Sequence, residues 1–175
     1  GKAVYDKKEI NAALSVLKNK SLTLIDGPSV KNLEKKISKL FGKKYGLMVN
    51  SGSSANLLGL ASLGLKKGSE VITPTLTFST TVAPIYQLGL IPHFIDVDEN
   101  TFTAKLNQIH KAINKKTKAI MIPNLLGNVP NWKEIYKIAK KYRLKLIEDS
   151  ADTIGYKVGN SHYGNCSDIS TNSMY

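Results

Sequence analysis

Cysteine, arginine and tryptophan each occur once, at Cys166, Arg143 and Trp132, and each scarcity removes a class of protein. A single thiol forms no internal disulfide framework, so a reducing, cytoplasmic setting is expected. No Cys/His spacing matches a zinc site, and no Gly-x-Ser-x-Gly elbow supports a serine hydrolase. No run approaches the roughly 20 apolar residues of a membrane span. Gly1 to Tyr5 shows neither the apolar core of a secretory signal nor an Arg-rich presequence. Acids are few as well: 25 basic residues against 13 acidic ones leave a net charge of +12. Such a charge invites a nucleic-acid reading. Against it, bidentate recognition of bases and phosphates favours Arg over Lys, and Arg143 stands alone. The lysines are scattered over predicted solvent faces, without aromatic interleaving. A solvated, Lys-biased surface with a modest attraction for anionic substrates is the expectation, with no nucleic-acid partner.

What is present suffices for a globular domain: 175 residues, 42% of them hydrophobic. Asp6 and Glu9 read as a capping box ahead of Ile10, Ala13, Leu14 and Leu17 at helical spacing. After the turn Asp26-Gly27-Pro28, the stripe Val30, Leu33, Ile37 and Leu40 predicts a second helix ended by Gly42. Tyr45 to Val49 reads as a short buried strand, and Ala55 to Leu63 as a helix that packs on a sheet. Strands follow at Glu70 to Thr73, Ile91 to Ile95, Ala119 to Ile122 and Leu144 to Ile147, with one more at Ile169 to Met174. Helices at Thr80 to Leu88, Leu106 to Ile113 and Trp132 to Tyr142 alternate with them. This alternation predicts an α/β fold, a mostly parallel sheet with helices on both faces. Ligands on such sheets bind at the carboxyl ends of the strands.

Four strand exits carry candidate chemistry. Asn50-Ser51-Gly52-Ser53-Ser54-Ala55-Asn56 offers a tight turn, hydroxyls and open helix-start N–H groups, either a phosphate site or a serine-rich cap. It is neither a Walker loop nor a dinucleotide Gly-x-Gly-x-x-Gly. Ile147-Glu148-Asp149-Ser150-Ala151-Asp152 puts acids at the end of a buried strand, where desolvation calls for a cationic partner. A protonated pyridine nitrogen is one such partner; a turn cap or bound Mg2+ is the other reading. Phe78, after Pro74-Thr75-Leu76-Thr77, is either a platform for a planar ring or a core aromatic. Ser173, at the end of the last strand, either meets the same phosphate or faces solvent. His93 lies within a strand and His110 within a helix, so both read as structural or surface residues, and His162 is in a Gly-rich loop with no visible acid–base partner.

Taken in this order, the segments resemble the DegT/StrS family of nucleotide-sugar aminotransferases, which have the aspartate-aminotransferase (type I) fold. The likeness runs over nearly the whole chain. It is carried by Asp26-Gly27-Pro28, Ser51 to Asn56, Gly68-Ser69-Glu70-Val71-Ile72, Thr77-Phe78 and Phe94-Ile95-Asp96-Val97-Asp98. Thr117-Lys118-Ala119-Ile120, Leu126-Gly127-Asn128 and Ile147-Glu148-Asp149 continue it. The resemblance implies that residues 1–175 are part of a pyridoxal-phosphate-binding large domain. Helices would occupy 1–42 and the α/β cofactor-binding region 43–175, with the rest of that domain and a small C-terminal domain absent.

The resemblance also implies roles. Ser53 and Ser54 would give N–H groups to the phosphate of pyridoxal or pyridoxamine 5'-phosphate, and Ser173 would hold it from the other side. Phe78 would stack on the ring and Asp149 would pair with its nitrogen. Asp152 stands where the family often has a His or Gln beside the ring. The Schiff-base lysine is expected after Tyr175, and no lysine in this chain takes that role. The implied partners are a nucleotide-diphosphate sugar, an amino-acid donor and a second subunit, with the Asp26-Gly27-Pro28 loop near the dimer interface.

The leading expectation is a ketosugar aminotransferase in lipopolysaccharide, O-antigen or cell-surface polysaccharide synthesis. Ser51 to Leu58 and Asp152 also resemble the sugar 3-dehydratases related to CDP-4-keto-6-deoxyglucose 3-dehydrase, in which histidine replaces the lysine. Their iron–sulfur members have a cysteine near the Ala151 position, where this sequence has none. A pyridoxamine-phosphate-dependent 3-dehydratase is thus the alternative, and a non-catalytic cofactor-binding fragment the second.

Overall fold

Some helices begin on side-chain caps that the sequence supplies. In the computed structural model, which describes residues 4–22, 24–158 and 161–174, α1 (Lys7–Lys18) opens on the expected capping box. Asp6 accepts the N–H of Lys8, and Glu9 accepts that of Asp6. Pro28 supplies the pre-set first turn of α2 (Pro28–Leu40), and Ser51 caps α3 (Gly52–Ser62). Four further helices or strands then alternate: β1 (Glu70–Pro74), α4 (Ser79–Gln87), β2 (Ile91–Ile95) and α5 (Leu106–Ala112). β3 (Thr117–Pro123), α6 (Trp132–Tyr142) and β4 (Lys145–Ser150) follow. A two-residue hairpin, β5 (Lys157–Val158) with β6 (Ser161–His162), precedes β7 (Ile169–Asn172). Among the described residues no helix is long and apolar enough to cross a membrane.

Five strands form one sheet in the order β2-β1-β3-β4-β7, and every pairing is parallel. Side chains alternate between its faces. Val71, Ala119, Met121 and Ile147 pack with Leu60 of α3 and Ile85 of α4. Ile72, Ile120, Ile122 and Leu146 pack with Ile109 of α5 and with Trp132 and Ile135 of α6. Burying each of these side chains contributes about 1.5–3 kcal/mol, so the two layers hold the sheet rigid. The α/β architecture with helices on both faces is therefore the one expected.

The segment Tyr45 to Val49 departs from expectation. It is not a strand, and Tyr45 and Leu47 are 77% and 78% exposed. Apolar content makes a strand only where a neighbour completes its hydrogen-bond ladder, and none of the described strands lies against it. Its backbone is held by α2 instead: Met48 N–H donates to Glu34 Oε1 at 2.7 Å. A Cβ on Gly46 would lie 2.6 Å from the Glu34 carbonyl oxygen, so the two backbones touch. The apolar stripe of α1 is similarly uncovered, with Ile10, Leu14 and Leu17 exposed.

Behind the sheet, a polar network ties this segment to β4 and β7. Lys43 Nζ donates to the Gly164 carbonyl at 2.5 Å, to the Ser167 carbonyl, and to Ser167 Oγ at 3.1 Å. Ser167 Oγ and Ser170 Oγ reach Glu148 Oε2 at 3.3 and 3.1 Å. Ser150 Oγ and Asn124 Nδ2 donate to Oε1 at 2.7 and 3.0 Å. Glu148 is thus fully buried with both oxygens satisfied. Burial pushes the Lys43 ammonium below its ordinary value, against the pull of Glu148 and Asp168.

Two expectations follow for the full-length protein. Gly164→Ala would put a Cβ 2.0 Å from the Phe41 carbonyl oxygen, so urea unfolding should show a loss of about 1–3 kcal/mol. Gly64→Ala, which meets nothing within 4 Å but has φ +59, should lose only about 1 kcal/mol. Between the lowered Lys43 pKa and 10.5, the unfolded chain binds more protons than the folded one, so Lys43 makes stability rise with pH. Lys43→Met should remove that rise, as read by the difference in unfolding free energy from the unsubstituted protein across pH 8 to about 11.

Candidate functional site

Alternation along β4 decides which acid faces which layer. Glu148 shares the α5/α6 face with Leu146, whereas Asp149 shares the α3/α4 face with Ile147. Asp149 is 5% exposed at the strand's carboxyl end. Its Oδ2 accepts from Asn56 Nδ2 of α3 and Thr81 Oγ1 of α4, both at 2.8 Å. Its Oδ1 accepts the Ala151 N–H at 3.2 Å. Among the described residues no ammonium, guanidinium or imidazole forms an ion pair with it. A buried carboxylate held by three neutral donors has room for a cationic hydrogen-bond donor.

The donors are themselves fixed. Thr77 Oγ1 donates to Thr81 Oγ1 at 2.8 Å, and Thr171 Oγ1 of β7 donates to Asn56 Oδ1 at 2.6 Å. Asn56 Nδ2 also donates to the Thr80 carbonyl at 3.2 Å. The close approach of α3 to β7 makes this reach possible: a Cβ on Gly59 would lie 3.3 Å from the methyl carbons of Ile169 and Thr171.

At the start of α3, Ser51 Oγ accepts the Ser54 N–H at 3.1 Å, and Ala55 N–H donates to the Ser51 carbonyl at 3.0 Å. Gly52 and Ser53 therefore supply the open N–H groups of the first turn, where the helix attracts an anion. Of the two expected phosphate donors, Ser53 is open and Ser54 is bound to the cap. A Cβ on Gly52 would sit 3.2 Å from Ser173 Cβ, so the β7 exit lies against this turn. Ser173 is thus a neighbour of the turn that carries Ser53 and Ser54, and Asn56, which binds Asp149, follows three residues after Ser53.

Phe78 occupies the N-cap position of α4, and the residue is 67% exposed beside Thr77. It is a free aromatic face at a strand exit, not a core residue. Asp152 Oδ2 accepts the Leu126 N–H at 2.9 Å, tying the turn after β4 to the loop after β3. There Leu126 has φ 53, a left-handed conformation that this bond helps to hold.

Asn56, Thr81 and Thr171 are the residues that sequence reasoning missed as site residues. A polar carboxamide inside the Ala/Leu-rich run Ala55-Asn56-Leu57-Leu58 was the available signal for the first. The two threonines gave none, because Thr is ordinary at a helix start and in a strand. His93 and His110 are structural as expected, the first 3.1 Å from Glu70 and the second edge-on to Tyr142. Asn114 and His93 hold the Glu70 carboxyl below the usual carboxylate range. The side chain of His162 lies outside the described ones. Among the described residues no group of three or more His, Cys, Asp or Glu is placed to hold a metal.

Comparison with known proteins follows this geometry. The model of the DegT/DnrJ/EryC1/StrS aminotransferase family matches residues 4–175. GDP-4-keto-6-deoxy-D-mannose 3-dehydratase of Yersinia pseudotuberculosis is 38% identical over 168 residues, 93% of this chain and 42% of the relative. The lipopolysaccharide biosynthesis protein RfbH of Salmonella typhimurium is 45% identical over 150 residues, 81% of this chain and 34% of the relative. The Escherichia coli GDP-4-keto-6-deoxy-D-mannose-3-dehydratase, solved with bound hydrated PLP, superposes with a TM-score of 0.84 at 40% identity. That match covers 91% of this chain and 42% of the solved one. The chain thus spans about two fifths or less of the length of these relatives. The chain belongs to the DegT/DnrJ/EryC1/StrS aminotransferase family.

Proposed function

We propose that this chain supplies part of the cofactor pocket of a pyridoxal- or pyridoxamine-phosphate-dependent enzyme acting on a nucleotide-linked ketosugar. The observation that carries the reading is Asp149, a buried carboxylate with three neutral donors and an acceptor position to spare. The residues fit the cofactor. The open N–H groups of Gly52 and Ser53, with Ser173 alongside, suit its phosphate. The exposed Phe78 ring suits its planar face, and Asp149 suits a protonated ring nitrogen. When bound, the cofactor supplies an electron-withdrawing ring that stabilises negative charge on a carbon attached through nitrogen. Asp149 keeps the proton on the ring nitrogen, and Phe78 fixes the plane. The α3 turn anchors the far end, so binding energy spent on the phosphate orients the ring.

Between the two reactions of the family's branches, 3-dehydration of a GDP-linked 4-keto-6-deoxysugar is the favoured reading. The run Ser51 to Leu58 and the 3-dehydratase relatives at 38% and 40% identity support it. Transamination of such a ketosugar, with an amino-acid donor, is supported at the level of the family. We assign the product to lipopolysaccharide synthesis on the strength of the RfbH likeness. A cytoplasmic homodimer, with residues 1–175 as part of its cofactor-binding large domain, completes the proposal.

The full-length protein should bind pyridoxal phosphate, read by quenching of intrinsic fluorescence. Asp149→Asn should weaken that affinity about a hundredfold, as loss of a buried charge partner does, and Phe78→Ala about tenfold or less. Incubated with GDP-4-keto-6-deoxymannose and glutamate, it should yield a 3-deoxy sugar by mass spectrometry. An amino sugar would select the aminotransferase reading, and binding without turnover the non-catalytic one. No binding of either cofactor form would overturn the proposal.

A further inference from the structure

The hydrogen bonds around Asp149 leave one acceptor direction free, and they specify where it is. A carboxylate offers two in-plane directions on each oxygen. Asn56 and Thr81 take both of those on Oδ2, each at 2.8 Å, while the Ala151 N–H takes one on Oδ1. What remains belongs to Oδ1. We propose that Asn56 is a positioning residue that commits Oδ2 and so presents Oδ1 of Asp149 to the cofactor's ring nitrogen, with Thr171 fixing which way the Asn56 carboxamide faces. This deepens the reading of Asp149 as the ring-nitrogen partner and rests on it.

An asparagine serves this purpose only if its amide cannot turn over. Here it cannot. The Thr80 carbonyl, 3.2 Å from Nδ2, accepts and never donates, so the NH2 group must face it. The oxygen then faces Thr171, whose hydroxyl donates to it at 2.6 Å. Both N–H bonds and the oxygen of Asn56 are used, in a side chain only 2% exposed. The orientation is therefore set by three elements at once: α3 carries the amide, the start of α4 gives the carbonyl, and β7 gives the hydroxyl.

Position along α3 adds a second consequence. Asn56 lies three residues after Ser53, just under one turn and about 4.5 Å along the axis. One helix thus carries both the phosphate turn and the grip on Asp149. Replacing Asn56 by Leu leaves Oδ2 with a single donor and frees the carboxylate to rotate about χ2. It also removes the donor to the Thr80 carbonyl and leaves the Thr171 hydroxyl only the Glu148 carbonyl, at 3.4 Å, as an acceptor among the described residues. Replacing it by Asp places two acids at hydrogen-bond distance, where one must hold a proton.

The test uses full-length protein loaded with pyridoxamine phosphate labelled with 15N in the ring. Its nitrogen chemical shift separates protonated from neutral ring, whatever the activity. Asp149→Asn should lose the protonated-ring signal at neutral pH; an unchanged signal would overturn the assignment of Asp149 itself. With Asp149→Asn behaving as stated, Asn56→Leu should lower the pH at which the ring loses its proton by about one unit, a tenfold change. Thr171→Val, which removes only the hydroxyl and serves if Asn56→Leu fails to fold, should move it the same way by less. Wild-type titration of the ring in the folded variants, with only the melting temperature of the apoprotein lowered, would show a purely structural role. That result would overturn this inference while leaving the cofactor reading intact.

Discussion

Two neighbouring acids on one strand cannot face the same way, and much of this molecule is arranged around that constraint. β4 turns Glu148 to one side of the sheet and Asp149 to the other. Each then meets a different helical layer and a different kind of compensation. Glu148 is enclosed by serine hydroxyls and an asparagine amide, with Lys43 one hydroxyl away. Asp149 is given neutral donors alone. The first arrangement closes its electrostatics within the protein. The second leaves an acceptor position that the described side chains do not fill with charge, as the proposed cofactor site requires.

That division also explains how distant parts of the chain come to share a rim. Asn56, Thr81, Asp149 and Thr171 are separated by up to 115 residues, yet two strand ends and two helix starts bring them together. Parallel strands exit on the same side, so loops from separate βα units collect at one edge of the sheet. The back-face network around Lys43 works in the same direction. It joins the segment leading to the first turn of α3, the strand carrying Asp149 and the strand leading to Ser173.

Much of the architecture was legible because short apolar strands and amphipathic helices have different periods. α6 begins and ends where the spacing from Trp132 to Tyr142 predicts, and β2 spans Ile91–Ile95 as read. Tyr45 to Val49 failed for a specific reason. Its pattern is strand-like, but composition cannot say whether a neighbouring ladder exists, and here the Met48 N–H is taken by Glu34 of α2. Candidate site residues were legible where a residue type is unusual in its place, as Asp149 is at the end of a buried strand. They were illegible where an ordinary threonine acquires its role from a partner far along the chain.

The single helix that joins Ser53 to Asn56 acts as a gauge. Because α3 is packed through Leu60 on one side and meets β7 at Gly59 on the other, its first turn cannot lengthen or tilt independently of the sheet. The distance between its anion-attracting end and the grip on Asp149 is fixed by backbone hydrogen bonds, not by side-chain reach. On the proposed reading, a ligand is measured end to end before any chemistry: one too short touches a single end, and one too long buckles against the other. Selectivity among phosphorylated aromatics then becomes a matter of length, set by a turn of helix.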